Sequence, residues 1–432
     1  MVHWSGKGRE QEDLQRSVAR MADMGLDNML VLTGDKLKEP SQGVRDRYLE
    51  SVPAVSLVKC WRPETLVAVA INPFKYREED AMAQYLKLGK KVGAGADFAI
   101  AQVGFDHAKH EELAEWVEHR NFALPLVANL MLLRARSARF MRKHQLAGVT
   151  VTDSFLELLE VEEKLPDQGA QRSMRRLALQ ICGLKLLGYA GVQLTGMHAP
   201  VQLQRLDDQV SELGELCRDA SVWRQAWQEC MSFPQGASVA VAPRNAWYRA
   251  ASFSAPVSPL PVAARALPPA HASAMERFRY RALAATHAAL FAGGPVAWLL
   301  GRALVSIRQR HGKPDNAVRS FEWLVKHPLV GCETCGMCRL EATQYVCPET
   351  CPKGLANGPC GGTSENLCEF RDRECIHSAK YRIAKDEGVL EQLETWLVPA
   401  VPAKIRGSSS YPPHFRGKGV QIRVVRFHRK ND

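Results

Sequence analysis

Six short apolar runs, each followed by residues of helical periodicity, leave this chain few folds to choose from. The runs are VHWS (Val2–Ser5), NMLVLTGD (28–35), TLVAVAIN (65–72), FAIAQVGFD (98–106), PLVANLML (125–132) and VQLTG (192–196). Between them, Leu14, Val18, Met21 and Ala22 repeat at helical spacing until Gly25, and helices are expected over 78–93, 107–119, 134–145 and 171–188. Strands this short and this apolar are buried on both faces, which is the signature of parallel strands joined by crossover helices. Several such units in a row, with polar or glycine-rich residues at each strand's C-terminal end, predict an α/β fold of the (β/α)8 barrel type, incomplete at its N-terminus. An open doubly wound sheet is the alternative, and no GxGxxG follows any of the runs to favour it. GVTVT (148–152) reads as a short apolar segment ahead of the last long helix.

Length asks for more than one core, since 432 residues exceed a single small domain. The expected division is a barrel over 1–215, a connecting segment over 216–274, a cysteine-rich, mainly helical metal-binding domain over 275–415 and a basic tail over 416–432. Composition marks the connection, because residues 253–272 turn to Pro, Ala and Ser and read as a linker or surface wrap. The net charge of +11 gathers partly in the tail, at Arg416, Lys418, Arg423, Arg426, Arg429 and Lys430, where a solvated surface is expected. No basic–aromatic pattern suggests nucleic acid. The most apolar stretch, between Arg281 and Arg302, is broken by Thr286, His287 and Gly293-Gly294-Pro295. It predicts two short buried helices and a tight turn rather than a membrane span. No apolar leader follows Met1, and a cytoplasmic location is expected.

Eight cysteines crowd into residues 332–375: Cys332, Cys335, Cys338, Cys347, Cys351, Cys360, Cys368 and Cys375. In a reducing compartment such density points to metal or redox chemistry rather than disulfides. A CxxCxxC run wraps three sulfurs around one centre, and eight thiolates suffice for two four-ligand sites. Both [4Fe-4S] clusters and zinc fit thiolate ligation, with iron–sulfur preferred. Cys60, Cys182, Cys217 and Cys230 are scattered and read as small buried hydrophobes.

The stretch KHPLVGCETCGMCRLEATQYVCPETCPKGLANGPCGG, Cys368-Glu369 and SSSY (408–411) resemble the cysteine-rich C-terminal domain of the methylenetetrahydrofolate reductase family. LTGD, AINPFK and AGADFAIAQVGFD resemble that family's barrel, in its order and spacing. The resemblance implies a non-covalent flavin (FAD or FMN) at the strand ends, reduced by NAD(P)H or a redox protein. Hydride would then pass to methylenetetrahydrofolate, giving methyltetrahydrofolate. It implies a flavin contact for His3, Thr33, Gly34 and Lys75, and flavin phosphates near Lys90 and Lys91. Asp35 would lie beside both flavin and pterin. Gln102 would lie between folate and nicotinamide, with Arg136, Phe140 and His198 on the folate; Asp35 and Gln102 are the catalytic candidates. By residue type alone, a lone Gln or a Lys pair carries no such meaning.

The resemblance also marks departures. The family's two strands ahead of HWSGK, one bearing the glutamate general acid, have no counterpart in these residues. Arg136, His198, Ile71 and Lys75 replace a glutamine, an arginine, a tyrosine and a histidine of the family pattern. Truncation is the expected explanation, ahead of a partner subunit that supplies the strands or a loss of activity. Two functions follow: a flavin- and cluster-containing reductase of one-carbon metabolism, or a non-catalytic electron-transfer or scaffold subunit.

Overall fold

The computed structural model describes residues 1–36, 48–244, 246, 248, 270–307 and 313–427. The first part runs β1 (Val2–Ser5), α1 (Gln11–Asp23), β2 (Asn28–Leu32), α2 (Ser51–Trp61), β3 (Leu66–Ile71), α3 (Glu78–Ala94), β4 (Phe98–Ala101), α4 (His107–His119) and β5 (Leu126–Met131). It continues through α5 (Ala135–His144), α6 (Asp153–Glu163), α7 (Ala170–Leu186), β6 (Gly191–Thr195), α8 (Pro200–Leu216) and α9 (Ala220–Cys230). The later part holds α10 (Ala274–Leu290), α11 (Pro295–Leu304), α12 (Lys313–Val330), α13 (Ile376–Asp386), α14 (Leu390–Thr395), β7 (Trp396–Leu397) and β8 (Arg423–Val424). Strands β1 to β6 form one sheet in chain order, each a run expected from the sequence. They are parallel and alternate with helices, an incomplete (β/α) barrel followed by a largely helical C-terminal region.

The chain divides into two compact units that do not follow chain order. One comprises Met1–Val69, Met82–Ala96 and Pro269–Phe427, and the other Ala70–Ala81 and Asp97–Pro268. In the first unit, Val2 pairs with Met29 and Asn28 with Leu66. Helix α1 starts at a capping box between Glu10 and Asp13, and its Leu14, Val18 and Met21 are buried. Helix α2, which the sequence reading did not anticipate, buries Val52, Val55 and Val58. Each such side chain contributes about 1.5–3 kcal/mol. The C-terminal region belongs to this unit: Tyr381, Ala384 and Leu393 cluster with Met82 and Leu86 of α3. In the second unit, Ala99 pairs with Leu126 and Val127 with Gly191. Asp106 and Thr152 cap α4 and α6 with their side chains.

Several expectations need correction. The segment GVTVT leads not straight into the last long helix but into α6, which the sequence reading did not anticipate and which Thr152 caps. Residues 380–397, whose sequence reads as one amphipathic helix, belong to two, α13 and α14, separated at Gly388, whose φ of 70° interrupts helical geometry. The stretch between Arg281 and Arg302 does contain a helix pair, α10 and α11, bent by 70°. It is not buried, since α10 buries none of its residues and Trp298 and Leu299 of α11 are more than 60% exposed. Among the described residues no single helix is long and apolar enough to cross a membrane, although this bent pair passes on length and composition. The basic tail is partly docked rather than solvated: β8 pairs antiparallel with β7, and Arg423 donates to the Gly93 carbonyl at the end of α3. Cys60 is exposed, unlike buried Cys182 and Cys217. The linker over 253–269, together with Arg429 and Lys430, lies outside the described residues.

Candidate functional site

The turn after β2 carries Thr33, Gly34 and Asp35. Gly34 has a φ of 95°, and a Cβ on it would lie 2.3 Å from Ser5 Oγ, so only glycine fits. The Thr33 hydroxyl accepts from the Ser51 amide at 3.3 Å, and the Tyr48 hydroxyl donates to the Asp35 carbonyl at 2.9 Å. Two further polar groups of this turn are met by the cysteine-rich region. Lys353 Nζ donates to the Gly34 carbonyl at 2.7 Å, and the Lys36 amide donates to Glu369 Oε1 at 2.9 Å. Lys353 and Glu369 are themselves paired at 2.5 Å, and the Cys360 thiol donates to Glu369 Oε2 at 3.2 Å. A continuous chain of polar contacts thus joins a cysteine of the 332–375 cluster to the loop bearing Asp35. The Asp35 side chain is exposed, as is His3 on β1.

A second anchor lies nearby in sequence. Buried Glu50 accepts from the amides of Ala356 and Asn357, from Asn357 Nδ2 and from Lys87 Nζ, all within 3.2 Å. Burial alone would raise its pKa; the Lys87 charge and the Asn357 donors outweigh that and hold it at about 2. Lys87 also donates to the carbonyls of Gly358 and Pro359. A Cβ on Gly358 would sit 2.7 Å from Lys87 Cβ. The NGPCGG segment therefore fits against α3 because its glycine has no side chain. Lys90 and Lys91 are buried on the same helix. Lys90 Nζ has no hydrogen-bond partner among the described residues, and burial first, then Lys380 of α13, drives its pKa well down. Burial and Lys87 bring Lys91 to about 7.

The cysteines sort into two neighbourhoods. Cys332, Cys335, Cys338 and Cys347 line one small cavity together with Arg339, Glu349 and Ser410. The Thr334 amide donates to Cys332 Sγ at 3.4 Å, and Lys326 Nζ donates to Cys338 Sγ at 3.5 Å. Buried Glu322 accepts from Ser409 Oγ and the Ser410 amide at 2.8 Å, which places the SSSY motif at the cavity wall. Burial pushes the thiols of Cys332 and Cys335 up to about 12 and 11. Cys351, Cys360 and Cys368 form the second neighbourhood, each close enough to perturb another. Cys375 is buried at the start of α13. Among the described residues no three His, Cys, Asp or Glu side chains yet converge on a single metal position. The donor set nonetheless fits a soft metal: four thiols share one cavity, donors face the sulfurs, and a bound cation would reverse the cost of ionising buried thiols.

The other expected residues lie in the second unit. Gln102 follows β4; its amide donates to the Ile71 carbonyl at 2.8 Å, and its own Oε1 accepts from the Val103 amide at 3.0 Å. Lys75 is buried. Arg136 and Phe140 stand exposed on α5, with the Phe140 ring 4.3 Å from His144, and His198 is exposed after β6. The sequence reading missed Glu50, Lys87, Lys353 and Glu369. Only Cys368-Glu369 and CPK were legible as motif text, because the contacts that join the early segments to the cysteine-rich region span 270 residues or more and leave no local periodicity.

A family model described as methylenetetrahydrofolate reductase matches residues 1–197, and one described as methylene-tetrahydrofolate reductase C terminal matches residues 313–401. No curated protein matches the chain. Among solved structures, the chain is similar to an uncharacterized protein from Clostridium thermocellum that binds two copies of 5-methyl-5,6,7,8-tetrahydrofolic acid. The two are 11% identical with a TM-score of 0.31, over 50% of this chain and 94% of that one. It is also similar to 3-hexulose-6-phosphate synthase, at 12% identity and a TM-score of 0.21, over 49% of this chain and 99% of that one.

Proposed function

Because the chain belongs to the methylenetetrahydrofolate reductase family, we propose that it is a folate-binding flavoprotein of one-carbon metabolism, reducing methylenetetrahydrofolate to methyltetrahydrofolate. In this reading the cysteine-rich region holds metal and relays electrons toward the barrel. The observation that carries it is the contact chain from Cys360 through Glu369 to the loop of Asp35. A redox centre is useful only where it couples to the reacting site, and a run of contacts within one compact unit supports that reading.

The residues would divide the work as follows. His3, Thr33, Gly34 and Lys75 are offered to the flavin, with Lys90 and Lys91 as cations for its phosphates. Lys90 Nζ has no hydrogen-bond partner among the described residues, and a phosphate beside it would favour the charged form that burial suppresses. When bound, the flavin would supply the hydride. Asp35 would accept pterin N–H groups and, as a fixed negative charge, tune the flavin's potential. Gln102 would orient the folate, while Arg136, Phe140 and His198 hold its far end. Cys332, Cys335, Cys338 and Cys347 would hold one metal centre, and Cys351, Cys360, Cys368 and Cys375 a second, as iron–sulfur clusters or zinc.

Anaerobic purification tests the proposal. Flavin and iron absorption, with oxidation of methyltetrahydrofolate by an artificial acceptor, are the expected results. Protein without flavin that leaves methyltetrahydrofolate unchanged would sink it.

A further inference from the structure

Among the described residues, the most exposed large apolar side chains gather on three consecutive helices. Met275 and Phe278 of α10, Trp298 and Leu299 of α11, and Phe321 and Leu324 of α12 are 61% to 67% exposed; elsewhere only Val201, at 62%, matches them. Helix α12 is inside out. Its Phe321, Leu324, Val325 and Leu329 recur at helical spacing on the outer side, while Glu322 is buried and accepts from Ser409 and Ser410. An ordinary surface helix turns its polar side to water.

The three helices are neighbours. Leu283 of α10 packs on the core cluster that holds Val330 of α12, and the Arg279 guanidinium donates to the Leu329 carbonyl at 2.5 Å. The segment after the SSSY motif links α11 to α12: Arg416 donates to the Val305 carbonyl at 2.7 Å, and Lys326 of α12 lies 4.4 Å from the Tyr411 ring. Apolar residues in a contiguous exposed patch mark a surface that meets something other than water.

Charge is sorted on the same pattern. The three carboxylates of these helices turn inward: Asp315 and Glu322 are buried, and Glu276 bonds Arg382 at 2.8 Å. Cations stand outside. Arg279, Arg302 and Lys418 are exposed, and among the described residues none of them meets a carboxylate. The Arg302 guanidinium lies 5.2 Å from the Trp298 ring, an aromatic and a cation side by side at the outermost part of α11. Indole and aliphatic groups with a cationic rim match the boundary of an anionic bilayer, where rings settle among the headgroups and guanidinium groups meet phosphate. A second copy of the chain would instead bring two like-charged rims together. The bend of 70° between α10 and α11 suits helices that lie along a surface.

We propose that α10, α11 and α12 seat the protein on an anionic phospholipid surface, in the headgroup plane and without crossing it. None of these side chains serves the flavin, the folate or the metal in the proposed reaction, so the inference stands apart from that reading.

Flotation of the full chain with phosphatidylcholine vesicles, with and without phosphatidylglycerol, tests this. The phosphatidylglycerol vesicles should bind at least about tenfold tighter at low salt, and added salt should remove most of that margin. W298S/L299S, a change at exposed positions, should weaken binding to them at least about tenfold and leave the melting midpoint unchanged. R302Q/K418Q should lose part of the preference for phosphatidylglycerol. Failure to bind either vesicle, equal binding to both, or a W298S/L299S variant that binds like the parent overturns the inference. So does a lipid-free dimer that W298S/L299S dissociates, which would assign the face to a second copy.

Discussion

Replacing Glu50 with glutamine tests how the cysteine-rich region is fastened to the first strands. The carboxylate is buried, pairs with Lys87 and accepts three donors from Ala356 and Asn357. Its pKa falls from 4.5 to about 2 on folding, because Lys87 and Asn357 outweigh the burial that would raise it. At about 1.4 kcal/mol per pH unit this amounts to roughly 3 kcal/mol favouring the folded form. A lowered carboxylate contributes fully above its unfolded pKa, so the stabilisation is present above pH 4.5 and disappears as pH drops toward 2. Removing one member of a buried pair costs about 3–5 kcal/mol, which agrees. In Glu50→Gln the amides of Ala356 and Asn357 should exchange with deuterium on the order of 10²-fold faster at pH 7. The double variant Glu50→Gln/Lys87→Met should lose less than the two singles together. Acceleration under about fivefold, or simple additivity, would refute the argument.

Gly34→Ala places a Cβ against Ser5 Oγ at a φ of 95°. It should destabilise the first unit by about 1–3 kcal/mol and lower flavin retention, read by thermal melting and absorbance. Cys338→Ser and Cys360→Ser should each remove about half of the bound metal if the thiols form two centres, measured by elemental analysis of anaerobic protein; complete loss from either one argues for a single centre. Lys91, lowered to about 7 by burial and then by Lys87, binds its proton less readily folded than unfolded. It therefore weakens the flavin-free fold below pH 7, and the penalty vanishes as pH rises to 10.5. Lys91→Met should raise the melting midpoint more at pH 6 than at pH 10, and equal gains would refute this.

The sheet was legible because its cause is local. A run such as LVAVAI must be covered on both faces, and that requirement is written in consecutive residues. The helix pair around Gly293-Gly294 was legible as a turn, but its exposure was not, because apolar composition does not say which side finds a partner. Gly388 was passed over since one glycine inside an amphipathic pattern weakens periodicity without erasing it. Among site residues, the Thr33-Gly34-Asp35 turn and the cysteines could be read from motifs. Glu50 and Lys353 could not, because each is an ordinary charged residue until its partner arrives from across the chain.

Glu50 and Asn357 are 307 residues apart, yet each buries the other's polar groups. At about 5–20 residues per second, a ribosome needs roughly 15–60 seconds to travel between them. Throughout that interval the nascent segment holds a carboxylate whose cation, Lys87, is soon made but whose donors from Ala356 and Asn357 are not. Biosynthesis of this protein is thus a wait for its own far end, and any factor that shields the early segment during that wait would raise the yield of native molecules.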